Sequence, residues 1–494
     1  MQNVKSVRME NNVVDTIIAQ DLKALGNAVE QRQRNIVKVH LDVWLQKVAD
    51  VQPEIDKIIE TEKSILVVMR KLCNLLSDVI VEATEGNMAV LEYVQKSMSK
   101  QTIYIFVGTH WVPIRTQTYY DFIKDASQKA GLCSSFASSP ECMNRLFEQV
   151  AFNLARDRET FVPRDAVWIN MQNGTLEIVG GQVTLRDHVR EDFFTYVLPY
   201  NYDPGASCPQ WDAFLKQVLP EPEERLLLGE YIGYCLTMNM KLEKMAILYG
   251  TGANGKSVCT DVITELLGRA NVSHVDLEKL TTDDNHRMQI EGKLANISQE
   301  NGPNVQYSTL KNMVSGEPVM VKSLYKDVRM TSNYGKLIAS YNTLPKSENT
   351  VGFFRRWLLF KFGVTIPDKK RDIHLKDKLC RELPGILNWV LICLRGLILR
   401  NGFTDSQACK EALDEYKVST NSALVYQTER LVICEDGRIT AKELYADYLN
   451  YCRDENFKNP YGRNNFLQQL YAAGVVKKTT NGVRYLTVKF KSEL

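Results

Sequence analysis

The sequence predicts a multidomain protein that combines helical and α/β domains. At 494 residues the chain is too long for one hydrophobic core, because such cores stop growing at roughly 250–300 residues. A glycine-rich segment, "ILYGTGANGKSV" (residues 247–258), joins an apolar run to an amphipathic helix, and strands alternate with helices from about 243 to 365. The two ends of the chain have different patterns, helical periodicity at the start and a hairpin signal at the end.

Residues 1–97 form the first predicted domain, a helical region. Apolar residues recur at steps of three and four from Val14 to Leu25, and a second such pattern runs from Ile58 to Met69. No glycine occurs between Gly26 and Gly86, which suits long helices. The region is either a plain helical bundle or a collar through which copies of the chain associate.

Residues 98–240 are predicted to form a small mixed α/β module followed by helices. In "DAVWINMQNGTLEIVGGQVTL", β-prone runs alternate with turn signals at Asn173-Gly174 and Gly180-Gly181. The segment "CPQWDAFLKQVLPEPEERLLLGEYIGYCLTMN" then indicates two helices, separated by Pro220 and Pro222. These helices lead into the glycine-rich segment.

The glycine-rich segment matches the phosphate-binding pattern G-x-x-x-x-G-K-[ST], with a strand candidate before it and a helix after it. Glycines let backbone N–H groups turn toward phosphate oxygens, and the helix N-terminus adds positive potential. Lys256 is expected at the β- and γ-phosphates, and Ser257 is expected to ligate Mg²⁺. The predicted nucleotide-binding residues are Gly250, Thr251, Gly252, Ala253, Asn254, Gly255, Lys256, Ser257 and Val258.

Two strand ends downstream are predicted to complete this site. The segment "LANISQEN" contains Gln299-Glu300, and a carboxylate at a strand tip beside a P-loop can hold Mg²⁺ or its water and polarise the attacking water. Glu300 is therefore the candidate for metal binding and catalysis. The segment "KLIASYNTLP" places Asn342 before a Leu-Pro turn, where an amide can orient the lytic water, although asparagine before a turn is also common for conformational reasons.

A pair of arginines, Arg355-Arg356, interrupts the aromatic-rich segment "VGFFRRWLLFKF". An arginine from a neighbouring subunit can stabilise charge on a transferring phosphoryl group, and its rigid fork suits that task better than lysine. Both are candidate catalytic residues, and the sequence leaves open which acts in trans and which in cis. The alternative is a solvated charged pair between core residues.

Residues 406–494 are predicted to form a winged-helix domain after a further helical region at 372–400. Two helices, in "RITAKELYADYLNYCRDENF" and "GRNNFLQQLYAAG", precede a hairpin that turns at Asn481-Gly482. The hairpin is basic, with no acid between Val475 and Lys491, which fits contacts to the DNA backbone. Its candidate DNA contacts are Lys477, Lys478 and Arg484. A protein-binding or purely structural winged helix is the alternative.

Composition limits the remaining classes. The net charge of +2 excludes a uniformly basic coat but not a local nucleic-acid surface. The 11 cysteines are scattered without a C-x2-4-C pair, which argues against a zinc knuckle or a disulfide framework and for a reducing compartment. The N-terminus lacks the apolar core of a signal peptide and no long uncharged apolar run occurs, so the expectation is a cytoplasmic protein with no membrane partner.

Five features, taken in their order along the chain, resemble the superfamily 3 helicases. They are the P-loop, the strand with a terminal Glu, the basic loop, the strand with a terminal Asn and the Arg-Arg pair. The likeness is to the phage, plasmid and poxvirus primase-helicase group and spans roughly residues 160–405. "GTGANGKS", "FFRRWLLFKF" and "LPGILNWVLICLRGL" are similar to its P-loop, its aromatic-Trp-Arg-Arg segment and its post-ATPase helix. "INMQNGTLEI", "LPYNYDP" and "CPQWDAFLKQVL" resemble the domain that precedes the motor in these proteins.

This resemblance implies an AAA+-related ATPase core with a parallel sheet at 241–405, which assembles as a ring, typically a hexamer, and moves along DNA with 3′ to 5′ polarity. It also implies a hairpin that points basic side chains into the central pore. Lys322, Tyr325 and Lys326 in "NMVSGEPVMVKSLYKDVRMTS" match that hairpin and would pair phosphate charge with a base-stacking ring. An ordinary surface hairpin is the alternative.

The chain departs from the family in two places. Many members end the second strand in two acidic residues, whereas this chain has Gln299-Glu300, so metal and water duties would fall on Glu300 alone. The first 150 residues carry no D-x-D pair beside a usable histidine and no zinc-ligand cysteines. No primase site is therefore predicted, and a separate protein would make primers.

The leading hypothesis is an ATP-driven DNA helicase, with Mg²⁺ as its metal, that acts on single-stranded and forked DNA in replication of a phage or mobile element. The alternative is an ATP-switched DNA-binding or initiator protein without processive unwinding. A small-molecule kinase is disfavoured because it explains neither the arginine pair nor the basic hairpin.

Overall fold

The computed structural model describes residues 31–91, 101–156, 166–237, 241–299, 301, 304–322, 328–344, 354–367, 369, 371–455, 457, 460–480 and 483–493. The chain divides into two compact units, Met1–Tyr202 and Asp203–Leu494. Both contain helices and strands, so the predicted mixed α/β, multidomain class is confirmed. Four sequence predictions lie outside the described residues: the helical pattern from Val14 to Leu25, Glu300, the pair Tyr325 and Lys326, and the Asn481-Gly482 turn.

Helices supply most of the core of the first unit. They are α1 (31–47), α2 (Gln52–Thr61), α3 (Ile65–Ala83), α4 (Thr116–Lys129), α5 (Ser134–Ala137) and α6 (Pro140–Asn153). Helix α6 begins with a proline, whose missing N–H costs nothing in a first turn, and Ser139 caps it by accepting from the Cys142 N–H at 3.5 Å. The buried Tyr119 joins α4 to α6 by donating its hydroxyl to the Phe147 carbonyl at 2.8 Å.

The helical region ends earlier than residue 97, where the sequence predicts its boundary. Helix α3 ends at Ala83, and after a turn the residues Met88–Leu91 form a strand, β1. This strand pairs antiparallel with β2 (Thr102–Phe106), which pairs antiparallel with β3 (Trp111–Ile114). All four residues of β1 are buried, and a short run of consecutive apolar residues suits a strand covered on both faces better than an amphipathic helix.

A second antiparallel sheet in this unit follows the predicted turns. Its strands are β4 (Val167–Met171), β5 (Gly174–Val179) and β6 (Gln182–Arg186), in that order. Val179 pairs with Gln182, so the Gly180-Gly181 turn falls where the sequence predicts it. Met171 pairs with Gly174, so the other turn is formed by Gln172 and Asn173, one residue earlier than the predicted Asn173-Gly174.

The second unit is built around a five-stranded parallel sheet. Its strands, in chain order, are β7 (Met245–Tyr249), β8 (Val272–Ser273), β9 (Ala295–Ser298), β12 (Lys336–Tyr341) and β13 (Trp357–Lys361). A separate antiparallel hairpin joins β10 (Val319–Val321) to β11 (Arg329–Thr331). Across the sheet the order is β13-β7-β12-β9-β8, with every pairing parallel. All five strands therefore begin at one edge, the amino edge, and end at the other, the carboxyl edge.

The helices of this unit up to residue 430 pack around the sheet and on one another, and the last of them joins the C-terminal part of the unit. They are α7 (Pro209–Val218), α8 (Pro222–Cys235), α9 (Lys256–Leu267), α10 (Leu277–Thr282), α11 (Asp284–Arg287), α12 (Tyr307–Val314), α13 (Leu375–Cys380), α14 (Leu383–Arg400), α15 (Gln407–Thr420) and α16 (Ser422–Arg430). The predicted helix pair around Pro220 and Pro222 is present as α7 and α8. Among the described helices, α14 alone is long and apolar enough to cross a membrane by length and composition, but residues such as Leu387, Leu394 and Leu397 are buried within the unit.

The C-terminal part of this unit forms its own small core. It contains β14 (Leu431–Ile433), β15 (Ile439–Thr440), α17 (Ala441–Asp454), α18 (Arg463–Ala472), β16 (Lys477–Thr480), β17 (Val483–Leu486) and β18 (Val488–Phe490). Thr440 and Glu443 form a capping box at the start of α17. Tyr448 of α17 stacks on Phe466 of α18 with ring centroids 4.1 Å apart, so these two helices share one aromatic core.

A buried carboxylate ties α8 to the chain that follows α14. Glu230 is fully buried, and its oxygens accept from the Thr404 N–H at 2.7 Å and the Thr404 hydroxyl at 2.6 Å. The Arg400 guanidinium also donates to it. The carboxylate thus has partners on every side, which is the condition for a stable buried charge.

Glu230→Ala is expected to lower the free energy of unfolding of the second unit by about 2–4 kcal/mol, because Thr404 and Arg400 lose a buried acceptor. The midpoint of urea unfolding should therefore shift to a lower urea concentration. Glu223→Ala, at an exposed site on the same helix, should change the midpoint by under about 0.5 kcal/mol. Equal midpoints for the two variants would contradict a stabilising role for this network.

Candidate nucleotide-binding site

The loop between β7 and α9 has the backbone shape of an anion cradle. Gly250 has φ 154° and Gly255 has φ 85°, and the non-glycine Ala253 also has a positive φ of 65°. Gly255 is the N-cap of α9, and no side chain caps that helix. The Lys256 N–H donates to Asn254 Oδ1 at 3.4 Å, and the next N–H groups of the first turn, at Ser257 and Val258, can face an anion at the positive end of the helix dipole.

Two polar side chains brace this loop from inside. Asn254 is buried and donates from Nδ2 to the carbonyls of Thr251 at 2.5 Å and Phe362 at 3.0 Å. Lys256 is also buried, and its ammonium donates to the Gly250 carbonyl and, at 3.2 Å, to Asn254 Oδ1. Burial lowers the pKa of Lys256. Asn254 thus supports the loop from behind, a role that the motif alone does not reveal.

The surroundings leave no space for side chains at the two glycines. A Cβ at Gly250 would lie 2.2 Å from the Phe362 carbonyl oxygen, and a Cβ at Gly255 would lie 2.9 Å from Val218 Cγ1. The chain after β13 also closes over the loop, since the Ile366 N–H donates to the Ala253 carbonyl at 2.8 Å. The residues present therefore fit a phosphate chain, which requires close approach to bare backbone.

Asn342 lies beside the loop, as predicted from its position at a strand end. It follows Tyr341, the last residue of β12, and Tyr341 pairs with Tyr249 at the end of β7. The Gly250 N–H donates to the Tyr341 carbonyl at 3.2 Å, and the Asn342 side chain is exposed. The structure thus brings Asn342, Ser257 and Lys256 to the same edge of the sheet.

The strand that leads toward Glu300 also ends at the carboxyl edge. Gln299 donates from Nε2 to the Thr260 hydroxyl of α9 at 3.3 Å, which places the end of β9 against the P-loop helix. Asn301, which sequence reasoning missed, donates to the Ser340 carbonyl at 3.2 Å and accepts from the Leu277 N–H at 3.2 Å. It joins the ends of β9 and β12 and so fixes their spacing.

No group of three or more His, Cys, Asp or Glu side chains is arranged to hold a metal within the described residues. Such a cluster is not required for Mg²⁺, which keeps several waters and binds through one or two protein oxygens together with substrate phosphates. The chemistry of Ser257, whose side chain is exposed at the start of α9, fits that arrangement.

The arginine pair lies at the opposite edge of the sheet. Arg355 and Arg356 directly precede β13, whose first residue, Trp357, pairs with Met245 at the start of β7. The P-loop follows Tyr249 at the other end of that strand. Five residues of strand separate the two positions by about 16 Å. Neither arginine therefore shares a site with the P-loop of its own chain.

The two arginines have different surroundings. The Arg356 side chain is 14% exposed, and it donates from Nε and Nη2 to the Ser315 hydroxyl at 3.1 and 2.9 Å. The Arg355 side chain is 62% exposed, and its guanidinium is 3.7 Å from the Glu243 carboxylate. Arg356 thus points into its own unit, whereas Arg355 points outward.

Lysines that sequence reasoning missed make the amino edge more basic. The Lys244 ammonium donates to the Arg355 carbonyl, and burial, with the nearby Arg355 charge, lowers its pKa. Lys244, Lys241 and Lys336 line one cavity of about 280 Å³ at this edge. Burial lowers the pKa of Lys336 to about 8. In the sequence, these lysines could be recognised by their positions, with Lys241 and Lys244 just before β7 and Lys336 at the start of β12.

Lys322 follows β10, is exposed, and donates its backbone N–H to the Asp284 carbonyl at 3.1 Å. The hairpin that carries it is held at the amino side of β9 and β12, since Gly292 donates to the Asn333 carbonyl at 2.9 Å and Arg329 pairs with Glu291. The structure therefore places Lys322 away from the P-loop edge.

The C-terminal basic residues divide between two faces of a hairpin. Strands β16 and β17 pair antiparallel, with Thr479 opposite Arg484 and Lys478 opposite Tyr485. Because side chains alternate along a strand, Lys477 and Arg484 share one face and Lys478 lies on the other. Lys478 donates to the Glu435 carbonyl at 3.2 Å, while Lys477 and Arg484 are exposed.

Two regions of the chain match models of protein families. Residues 92–220 match the family model described as D5 N terminal like, which represents the N-terminal region of phage and plasmid primase-helicases. Residues 248–356, from the P-loop strand to the arginine pair, match a family of unknown function (DUF5906). The match at 92–220 supports the resemblance to phage and plasmid primase-helicases, whereas the match at 248–356 is to a family whose function is unknown.

Among solved structures, the chain is similar to the apo C-terminal region of NrS-1. One such structure has a TM-score of 0.46 and 12% identity, covering 81% of this chain and 87% of that one. Another has a TM-score of 0.42 and 11% identity, covering 84% of this chain and 98% of that one.

Gly250→Ala is expected to lower affinity for a fluorescent ATP analogue at least about tenfold, because its Cβ would clash with the Phe362 carbonyl at a φ that side chains rarely adopt. The matched control is Gly462→Ala, at the N-cap of α18 and outside the phosphate-binding loop, where a Cβ meets nothing within 4 Å. That variant should bind within about twofold of the wild type. Similar losses in both variants would argue against the described loop geometry.

Proposed function

We propose that the protein is an ATP-dependent DNA helicase of the superfamily 3 type that forms a ring, typically a hexamer, in the cytoplasm. The observation that carries the proposal is the division of the predicted catalytic groups between opposite edges of one parallel sheet. A single chain cannot bring both groups to one nucleotide across about 16 Å of strand. Copies in a head-to-tail arrangement can, and such contacts close into rings.

Within this proposal the residues of one copy bind the nucleotide. Backbone N–H groups from Gly250 to Val258 and the Lys256 ammonium hold the phosphates, and Ser257 and Glu300 would hold Mg²⁺. The metal, when bound, neutralises charge on the phosphate oxygens. Lys256 contacts two neutral oxygens in the structure, and a phosphate would supply a charged partner in a site of low water content. Asn342 orients the attacking water.

The neighbouring copy supplies the arginine. Arg355 is the trans-acting candidate because it is exposed, whereas Arg356 is held by Ser315 and Glu243 of its own chain. An arginine delivered in this way stabilises charge on the transferring phosphoryl group and makes hydrolysis depend on assembly. Both residues keep a role in catalysis, Arg355 by contact and Arg356 by fixing the position of Arg355.

DNA contacts complete the proposal. Lys322, Tyr325 and Lys326 are proposed to face the pore, move single-stranded DNA with 3′ to 5′ polarity and separate forked DNA. The D5 N-terminal-like match supports a place in phage or mobile-element replication. A separate primase or other replication protein would supply primers.

The direct test measures ATP hydrolysis with and without single-stranded DNA, and strand separation of a forked duplex. Hydrolysis should rise on addition of DNA, and Lys256→Ala should abolish both activities, because the buried ammonium is the P-loop cation. Lys279→Ala, at an exposed lysine of α10, is the control and should leave both unchanged. Strong unwinding by Lys256→Ala would overturn the assignment.

Mixing variants tests the shared site. Lys256→Ala and Arg355→Ala should each lack hydrolysis, because every interface of either ring lacks one partner. A 1:1 mixture assembled together should regain hydrolysis at the interfaces that pair an intact P-loop with an intact Arg355, ½ × ½ or about a quarter of the total. A mixture as inactive as its two components would contradict catalysis in trans.

A second candidate function is an ATP-switched initiator, and the exposed basic face of the C-terminal hairpin favours it. Such a protein would bind duplex DNA through a winged helix and would hydrolyse ATP without processive unwinding. Persistent duplex binding with no strand separation at any fork length would favour this function over the motor.

Lys477→Ala combined with Arg484→Ala is expected to weaken duplex DNA binding and to lower the salt dependence, the slope of log K against log [salt], by about 2. Lys478→Ala, on the opposite face, should change the slope by well under 1. Fluorescence anisotropy across a salt series measures both. An unchanged slope in the Lys477→Ala, Arg484→Ala variant would show that this face does not meet DNA.

A further inference from the structure

A cleft of about 370 Å³ lies beside Arg355, between the sheet and the C-terminal part of the same unit. We call it the Arg355 cleft, and its lining residues are Phe354, Arg355, Leu413, Lys417, Asn421, Tyr461 and Gln469. Its volume is within the range of small-ligand sites. The cleft therefore has room for part of a nucleotide.

The lining of this cleft is suited to an anion. Of the described side chains that line it, two are cations, Arg355 and Lys417, and none is a carboxylate. Asn421 and Gln469 add amide groups, hydrogen-bonded to each other at 2.8 Å. Cations and amides around one opening are the groups that proteins use to bind phosphate oxygens.

Both cations can turn toward a ligand. The Lys417 ammonium is 2.6 Å from the Asp414 carboxylate in an exposed ion pair, and Arg355 has a long contact with Glu243. Exposed pairs of this kind contribute little free energy, so exchanging such a partner for a phosphate costs little. The Phe354 ring, 5.9 Å from the Lys417 ammonium, supports the lysine from one side.

The Arg355 cleft lies too far from the P-loop of its own chain to contact a nucleotide bound there. Tyr416, next to Lys417, stacks on Trp357 with ring centroids 5.5 Å apart, and Trp357 is at the amino edge. The P-loop is at the carboxyl edge. An anion that reaches Lys417 therefore comes from outside this chain.

We propose that Lys417 is a second cation of the trans-acting surface and contacts, beside Arg355, the phosphates of the nucleotide bound by the neighbouring copy. This inference rests on the proposed function and adds to it a residue from a helix outside the region that matches the family model ending at residue 356. The ligand class is a nucleoside triphosphate.

The experiment uses full-length variants in the ATP hydrolysis assay. Lys417→Ala is expected to lower turnover at least about tenfold, since it removes one charged contact to the reacting phosphates. Lys417→Arg should retain most of the activity. The matched control is Lys410→Ala on the same helix, whose lysine pairs with Asp405, and it should behave as the wild type.

Mixtures separate action on the neighbouring copy's nucleotide from action on the nucleotide of the same chain. In a 1:1 mixture of Lys417→Ala and Lys256→Ala, about a quarter of the interfaces, ½ × ½, should be active. These interfaces pair the intact P-loop of the first variant with the intact cleft of the second. Mixed with Arg355→Ala, the Lys417→Ala variant should recover nothing, because every cleft then lacks one cation.

Three results would overturn the inference. Wild-type turnover by Lys417→Ala would overturn the role of Lys417 and leave the proposed role of Arg355 intact. Recovery in the mixture with Arg355→Ala would place Lys417 on a different surface. Hydrolysis that survives Lys256→Ala would overturn the proposed function and the inference with it.

Discussion

The common direction of all five strands in the central sheet is the constraint on which the rest of the molecule depends. Parallel strands must end at one edge, so the P-loop after β7 and Asn342 after β12 become neighbours although 92 residues, 342 − 250, separate Gly250 from Asn342. The same rule sends residues that precede a strand, such as Arg355, to the other edge. The candidate phosphate-binding loop and the arginine pair are thereby kept apart within one chain.

Helix α15 connects these two edges. Near its start, Cys409 lies 3.9 Å from the buried Glu224 carboxylate, whose pKa is raised to about 7 mainly by burial, with Glu221 adding to the effect. Farther along, the Glu415 carboxylate pairs with the ammonium of Lys361, the last residue of β13, at 2.7 Å. The next residue, Tyr416, stacks on Trp357, the first residue of β13. A helix fixed to both ends of β13 holds the Arg355 cleft at a constant distance from the P-loop of its own chain, as the proposed ring would require for successive sites to match.

Local chemistry made some elements predictable from the sequence. The strand, loop and helix around Lys256 and the turns at Gln172-Asn173 and Gly180-Gly181 depend on short-range patterns of glycine and apolar residues. The strand at Met88–Leu91 was missed because four buried apolar residues suit either helix or strand until the partner strand is known. The edge on which Arg355 lies, and its neighbours Lys244 and Lys417, depend on strand order and on long-range packing, which no local pattern contains.

The division of labour between the adjacent arginines follows from geometry at the start of β13. Arg355 and Arg356 lie in a turn directly before β13, in which Arg356 is buried against Ser315 and Arg355 is exposed. The Arg356 carbonyl accepts from the Met245 N–H at 2.9 Å, which ties this segment to the first residue of β7. The Glu243 carboxylate lies within 3.7 Å of both guanidinium groups. In the proposed mechanism Arg356 would act through position, and Arg355 has the exposure that contact with a neighbouring copy would require.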